Sequence, residues 1–143
     1  MSIIDVRVSG TLPADPHAVW RSLCHPEQLA AWWPQLTLEP ELGGGFLELL
    51  PGEDGVERRT TGNITTWVEP ELIELDWADE DWAFITAVSI RLESTDGETR
   101  VSIQHSGWEA AGAEAADLQS AYEDDWQRHL HRWRSYLRSA TGV

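Results

Sequence analysis

Lysine is absent from the 143 residues, and every basic side chain is one of ten arginines. Schiff-base chemistry through a side-chain amine is therefore excluded. Cysteine occurs once, at Cys24, which rules out an intrachain disulfide and most cysteine-based metal sites. No stretch approaches the ~20 consecutive apolar residues of a membrane-spanning helix. The opening Met-Ser-Ile-Ile-Asp has neither the basic region nor the apolar run of a signal peptide. Positive charge is scarce: 10 basic residues stand against 25 acidic ones, a formal net charge of −15. A surface of that sign repels phosphate backbones and anionic lipid, so neither nucleic acid nor a membrane surface is an expected partner. A Gly-rich phosphate loop, a Ser-x-x-Lys pair and a nucleophile elbow are all missing, and no cofactor is expected. The expectation that remains is a cytoplasmic protein forming one domain over residues 1–143.

What the chain does have is tryptophan: nine, against two Phe and two Tyr. Indole is large and mostly apolar but carries one N–H donor, so it suits walls that must be greasy and still offer a polar contact.

Alternation of Ile4, Val6 and Val8 with polar residues predicts a first strand, ended by Pro13. Asp15 followed by Pro16 predicts a capped helix running through Ala18, Val19 and Leu23. Pro26 opens a second short helix, stopped at Pro34. The middle reads as strands. Leu36 and Leu38 form one, and Phe46 to Leu50 another, followed by a turn over residues 51–55. A long strand from Val56 to Val68 is expected to bend at Gly62. Ile73, Leu75 and Trp77 share one face of the next strand, and Phe84, Thr86, Val88, Ile90 and Leu92 one face of the strand after it. Asp96-Gly97 is a hairpin turn, leading to Val101, Ile103 and His105 on one side of a last strand. The period then changes to 3.6: Ala115, Leu118, Tyr122, Trp126, His129, Leu130, Trp133 and Leu137 form one stripe of a helix from about Ala113 to Ala140. The class is α+β.

Ala18-Val19-Trp20, Pro26-Glu27-Gln28-Leu29, Trp32-Trp33, Gly43-Gly44-Gly45-Phe46, Gly62-Asn63-Ile64, Leu75-Asp76-Trp77, His105-Ser106-Gly107-Trp108 and Trp126 through Leu130, in that order, resemble the helix-grip (START-like) superfamily. The similarity is greatest to the bacterial branch named after the ATPase activator of the large heat-shock chaperone. The resemblance implies a curved antiparallel sheet of six to seven strands gripping the C-terminal helix. It also implies a cavity between them for a small apolar or aromatic molecule. Trp108 and Trp133 are larger than the residues usual at those points and would reshape that cavity.

Candidate cavity residues are Trp33, Phe46, Glu48, Trp67, Trp77, His105, Trp108, Trp126, His129 and Trp133. His105 lies on the apolar face of its strand and is a candidate proton shuttle or general base. Asp125 and His129 are four apart on the helix, a spacing at which the carboxylate would fix the imidazole tautomer. With His105 they would make an acid–base group; the competing reading is an ordinary surface pair. His129 and His131 face different sides of the helix, so no metal site is expected. Glu48 sits between Leu47 and Leu49. Two inward leucines outweigh one buried carboxylate, so Glu48 is expected to face solvent, although Phe46 shares its face. Cys24 is expected to be a buried thiol. The functional expectation is a binding protein for a small apolar or aromatic molecule. The alternatives are a cyclase- or hydrolase-type enzyme with a His base, and a chaperone partner or homodimer using an exposed Trp patch.

Overall fold

The turn and cap residues place the elements close to where the sequence puts them. In the computed structural model, which describes residues 5–52 and 54–140, strand β1 (Val6–Leu12) is followed by helices α1 (Pro16–Cys24) and α2 (Pro26–Trp32). The Asp15 carboxylate accepts the Ala18 N–H at 2.8 Å, capping α1, whose first turn begins at Pro16. Strands β2 (Leu36–Leu38), β3 (Gly45–Pro51), β4 (Glu57–Val68), β5 (Leu72–Asp79), β6 (Thr86–Thr95) and β7 (Glu98–Ser106) come next. A 3₁₀ turn (Trp108–Glu114) leads into the long helix α3 (Ala115–Ala140). Ile4 and Glu53, parts of the expected first strand and turn, lie outside the described residues.

The seven strands form one antiparallel sheet in the order β1-β7-β6-β5-β4-β3-β2. Chain neighbours pair along most of it, and β1 closes the other edge against β7. Asp96 and Gly97, with φ of 51° and 82°, make the two-residue turn that pairs Thr95 with Glu98. Two left-handed residues match the twist of a tight hairpin. The inward face carries Val6, Val8, Ile73, Leu75, Trp77, Val88, Ile90, Leu92, Val101 and Ile103, all buried. Helix α3 lays Ala115, Trp126, Leu130, Trp133 and Leu137 on that face. This is the α+β helix-grip arrangement.

Two details differ from expectation. Phe84 precedes β6 rather than lying in it, and stacks on Trp82 with ring centroids 4.7 Å apart. The irregularity of β4 is a register shift between Ile64 and Thr66, not a break at Gly62. Gly62 meets a different demand. A Cβ there would stand 1.8 Å from the Asp76 carbonyl oxygen and 2.6 Å from the Phe46 ring. The glycine lets β3, β4 and β5 approach with Phe46 folded inward.

Gly62→Ala should accordingly destabilise the fold by about 2–3 kcal/mol through forced overpacking. Gly45→Ala, whose Cβ would find only ordinary contacts at 3.8 Å, should change stability by about 0.5 kcal/mol or less. Urea unfolding of the two variants side by side checks the contrast.

Candidate functional site

Helix α3 meets the sheet through rings. Trp126 packs edge-on against Trp33, with centroids 5.7 Å apart, and lies 5.5 Å from Trp77. Trp133 stacks on Trp32 at 4.8 Å, nearly parallel. Phe46 lies 4.7 Å from Trp77. These rings occupy the hollow where a cavity was expected. What remains there is a void of about 20 Å³ bounded by Leu23, Trp33, Phe46, Leu75, Trp77 and Trp126, space for about one water.

The indole N–H groups organise the buried polar atoms. Trp133 donates to Ser22 Oγ at 2.7 Å, and Trp32 to the Ser22 carbonyl at 2.9 Å. Trp33 donates to Glu48 Oε2 at 2.9 Å. Trp126 donates to His105 Nδ1 at 3.1 Å, and Trp108 to the His105 carbonyl at 2.9 Å. An indole nitrogen only donates, so His105 Nδ1 carries no proton and Nε2 does. Nε2–H then donates to Thr86 Oγ1 at 2.7 Å, and the Thr86 hydroxyl donates in turn to the Trp77 carbonyl at 2.6 Å. The ring is wholly buried, and burial holds its pKa down to about 3. The general-base expectation for His105 is corrected here: the lone pair that would take a proton is already engaged by Trp126.

A recess lies beside this packed centre, between β3 and α3. It is a cleft of about 210 Å³. Glu48, Trp77, Tyr122, Asp125, Trp126, Arg128, His129 and Arg132 line it, with Gln35 and Leu50 at its edge. Glu48 is 4% exposed, while Leu47 and Leu49 are half-buried on the opposite side of β3. The expected solvent-facing Glu48 is thus overturned. Burying Phe46 against Trp77 selects that face, and the Trp33 N–H gives the carboxyl a partner. Burial, chiefly, and the charges of Asp125 and Asp79 raise its pKa to about 7, against the lowering effect of the Trp33 bond. A carboxyl that holds its proton avoids most of the charge-burial penalty that argued for an outward Glu48.

His129 stacks on Trp33 with centroids 3.9 Å apart, and its buried Nδ1 has no hydrogen-bond partner. Burial first, then Arg132 and Arg128, lower its pKa to about 3. The expected Asp125–His129 pair is not formed. Asp125 instead forms an ion pair with Arg128, one turn along the helix. No joint acid–base group of His105, Asp125 and His129 results, since His105 is committed to Trp126 and Thr86. Tyr122 Oη accepts the Trp77 N–H at 3.3 Å, and burial raises the phenol to about 12, so it stays protonated.

Of the expected cavity residues, Glu48, Trp77, Trp126 and His129 line the cleft, and Trp33 and Phe46 bound the small void. Trp67 packs edge-on against Trp20 at 4.9 Å, Trp133 against Trp32, and Trp108 against His105 and Tyr122. None of these three borders the cleft or the small void. All nine indoles are buried or half-buried, so the exposed Trp patch of the interaction-protein alternative is also corrected. Cys24 is buried, its thiol pushed up to about 12 by burial and by Glu69. Sequence reasoning does not single out Ser22, Thr86, Gln35, Tyr122, Arg128 or Arg132 as site residues. For Tyr122 and Arg132 a signal exists: with 125 and 129 they are spaced three and four apart, a second stripe beside the packed one. Among the described residues no group of three or more His, Cys, Asp or Glu could hold a metal ion, and no helix is long and apolar enough to cross a membrane.

A family model described as "Activator of Hsp90 ATPase homolog 1-like protein" matches residues 13–138. Solved structures share the fold. A Mesorhizobium loti protein is 17% identical, with 95% of this chain and 98% of that one covered at a TM-score of 0.77. A Chromobacterium violaceum protein is 21% identical, covering 93% and 96% at 0.77. A Bacillus halodurans protein is 25% identical, covering 94% and 97% at 0.73. Comparison with curated proteins finds no match.

The burial of Glu48 has a pH signature. Between about pH 4.5 and 7 the folded chain keeps a proton that the unfolded chain has released, so this group favours folding at low pH and the benefit is lost as pH rises through 7. The two imidazoles act oppositely: the unfolded chain protonates them near pH 6.5 and the folded one only near 3, so stability falls as pH drops below 6.5. In Glu48→Gln the first effect vanishes. Its stability relative to wild type should therefore rise between pH 5 and 7 by about 1 kcal/mol per pH unit at the steepest. Chemical unfolding across that range measures it, and a flat difference would remove the elevated pKa.

Proposed function

This chain belongs to the family of activator of Hsp90 ATPase homolog 1-like proteins, whose helix-grip fold is one of ligand-binding domains, and from that premise we propose that it binds a small molecule in the cleft between β3 and α3. The observation that carries this reading is an under-used carboxyl on the wall of that cleft. Glu48 lines this space, and among the described residues the Trp33 indole is its one hydrogen-bond donor. Buried polar groups in native proteins are nearly always satisfied, so a carboxyl with spare acceptor sites on a cleft wall fits a site whose missing partner belongs to a ligand. Trp77, Trp126 and Tyr122 give the same cleft apolar surface, which suits a molecule with a flat or apolar body. The volume of about 210 Å³ is below the ~300–1,000 Å³ of typical drug-sized pockets, so the ligand is small. An acid–base role for either histidine has no support in this geometry: His105 is engaged at both ring nitrogens, and His129 is too weak a base at neutral pH.

Nuclear magnetic resonance separates the indole N–H signals that such a ligand would touch from those it would not. Small aromatic compounds should shift the Trp77 and Trp126 indole resonances, leave Trp20 and Trp67 in place, and raise the melting temperature. A fragment panel that moves neither cleft indole would end the proposal.

A further inference from the structure

The charges of the cleft are layered. Its inner acid is Glu48, and among the described residues no cation lies within ion-pair distance of that carboxyl. Its rim is basic. Arg128 is held by Asp125, and exposed Arg132 makes no ion pair among the described residues. Between them stand the rings of Trp77, Trp126 and Tyr122.

Resting on the reading that this cleft takes a small ligand, we propose that the ligand is a small zwitterion of the aminocarboxylate class, its ammonium seated inward on Glu48 and its carboxylate outward on Arg132. An ammonium beside Glu48 gains a charge-assisted hydrogen bond and the attraction of the indole faces. A guanidinium at the rim is the natural partner of a carboxylate. A simple anion would have to bring its charge toward Glu48, whose proton affinity the nearby Asp125 and Asp79 already raise. A simple cation would pass Arg128 and Arg132 and leave the latter unpaired. A cleft of about 210 Å³ fits an amino-acid-sized molecule, and the net charge of −15 draws the ammonium end in.

The groups facing Glu48 are Trp33 after α2, Asp79 on β5, and Tyr122, Asp125, Arg128, His129 and Arg132 on α3. Seating an ammonium there requires Glu48 to ionise, so binding at pH 6 should release a proton, and affinity should rise with pH and level off above 7.

The test uses three probes of nearly one shape: phenylglycine, benzylamine, which lacks its carboxylate, and phenylacetate, which lacks its ammonium. Alanine and phenylalanine bracket the size. Titrations followed by the Trp77 and Trp126 indole signals should show an aminocarboxylate binding about tenfold or more tightly than either one-charge analogue. Glu48→Gln should weaken phenylglycine by about tenfold and leave phenylacetate no weaker. Arg132→Gln, at an exposed helix position where folding is not at risk, should weaken phenylglycine and spare benzylamine. If phenylacetate or benzylamine binds as well as the aminocarboxylates, the zwitterion is overturned while the cleft stands. If none of the five probes moves either indole while other fragments do, the zwitterion falls alone. If no compound of any class moves them, the binding reading falls with it.

Discussion

An indole carried into an apolar interior brings a donor that has lost water, and the rest of this structure is arranged around giving that donor an acceptor. Five of the buried tryptophans find one in the polar residues of the core: Trp32 and Trp133 at Ser22, Trp33 at Glu48, and Trp108 and Trp126 at His105. Trp77 uses the Tyr122 hydroxyl. An unmade hydrogen bond in such surroundings costs about 1–3 kcal/mol, so each pairing fixes a ring in place. Trp20, whose N–H has no partner, is the exception. Three of the buried polar residues, Ser22, Glu48 and His105, are thus the complement of its tryptophans.

The same rule explains why two residues that look catalytic are not alike. His105 is a structural joint. It accepts the Trp126 N–H from the helix, donates a hydrogen bond to Thr86 on the neighbouring strand, and accepts the Trp108 N–H at its carbonyl, tying α3 and the turn before it to β6 and β7. Glu48 is bonded on one side to Trp33 and on the other side lies along open space. The indoles that fill the centre therefore also push the usable space sideways, from the middle of the grip to its flank between β3 and α3.

Much of the fold was legible because it rests on local chemistry. Asp15 with Pro16, the two prolines around α2, and Asp96-Gly97 act within a few residues of themselves, and the alternation in β5, β6 and β7 survives because a whole sheet face must be buried together. The errors came where two local patterns compete or where a distant partner decides. Weighing two leucines against one charge turns Glu48 outward, but the balance is set by Phe46 meeting Trp77 and by Trp33 arriving from another element. Asp125 had two suitors on its own helix, and spacing alone does not choose between His129 at four residues and Arg128 at three.

The residues of this chain, read in order, determine that it folds as strands around a long amphipathic helix, that it is strongly acidic, and that its interior is built from indole. Hydrophobic period, capping and turn chemistry act over distances shorter than an element, so they are written into the order itself. Whether those indoles enclose a hollow or fill it was decided only when the elements packed. Ring-on-ring fit, and the choice of acceptor for each N–H, depend on residues up to 111 positions apart, as Ser22 and Trp133 are. No local pattern carries that information.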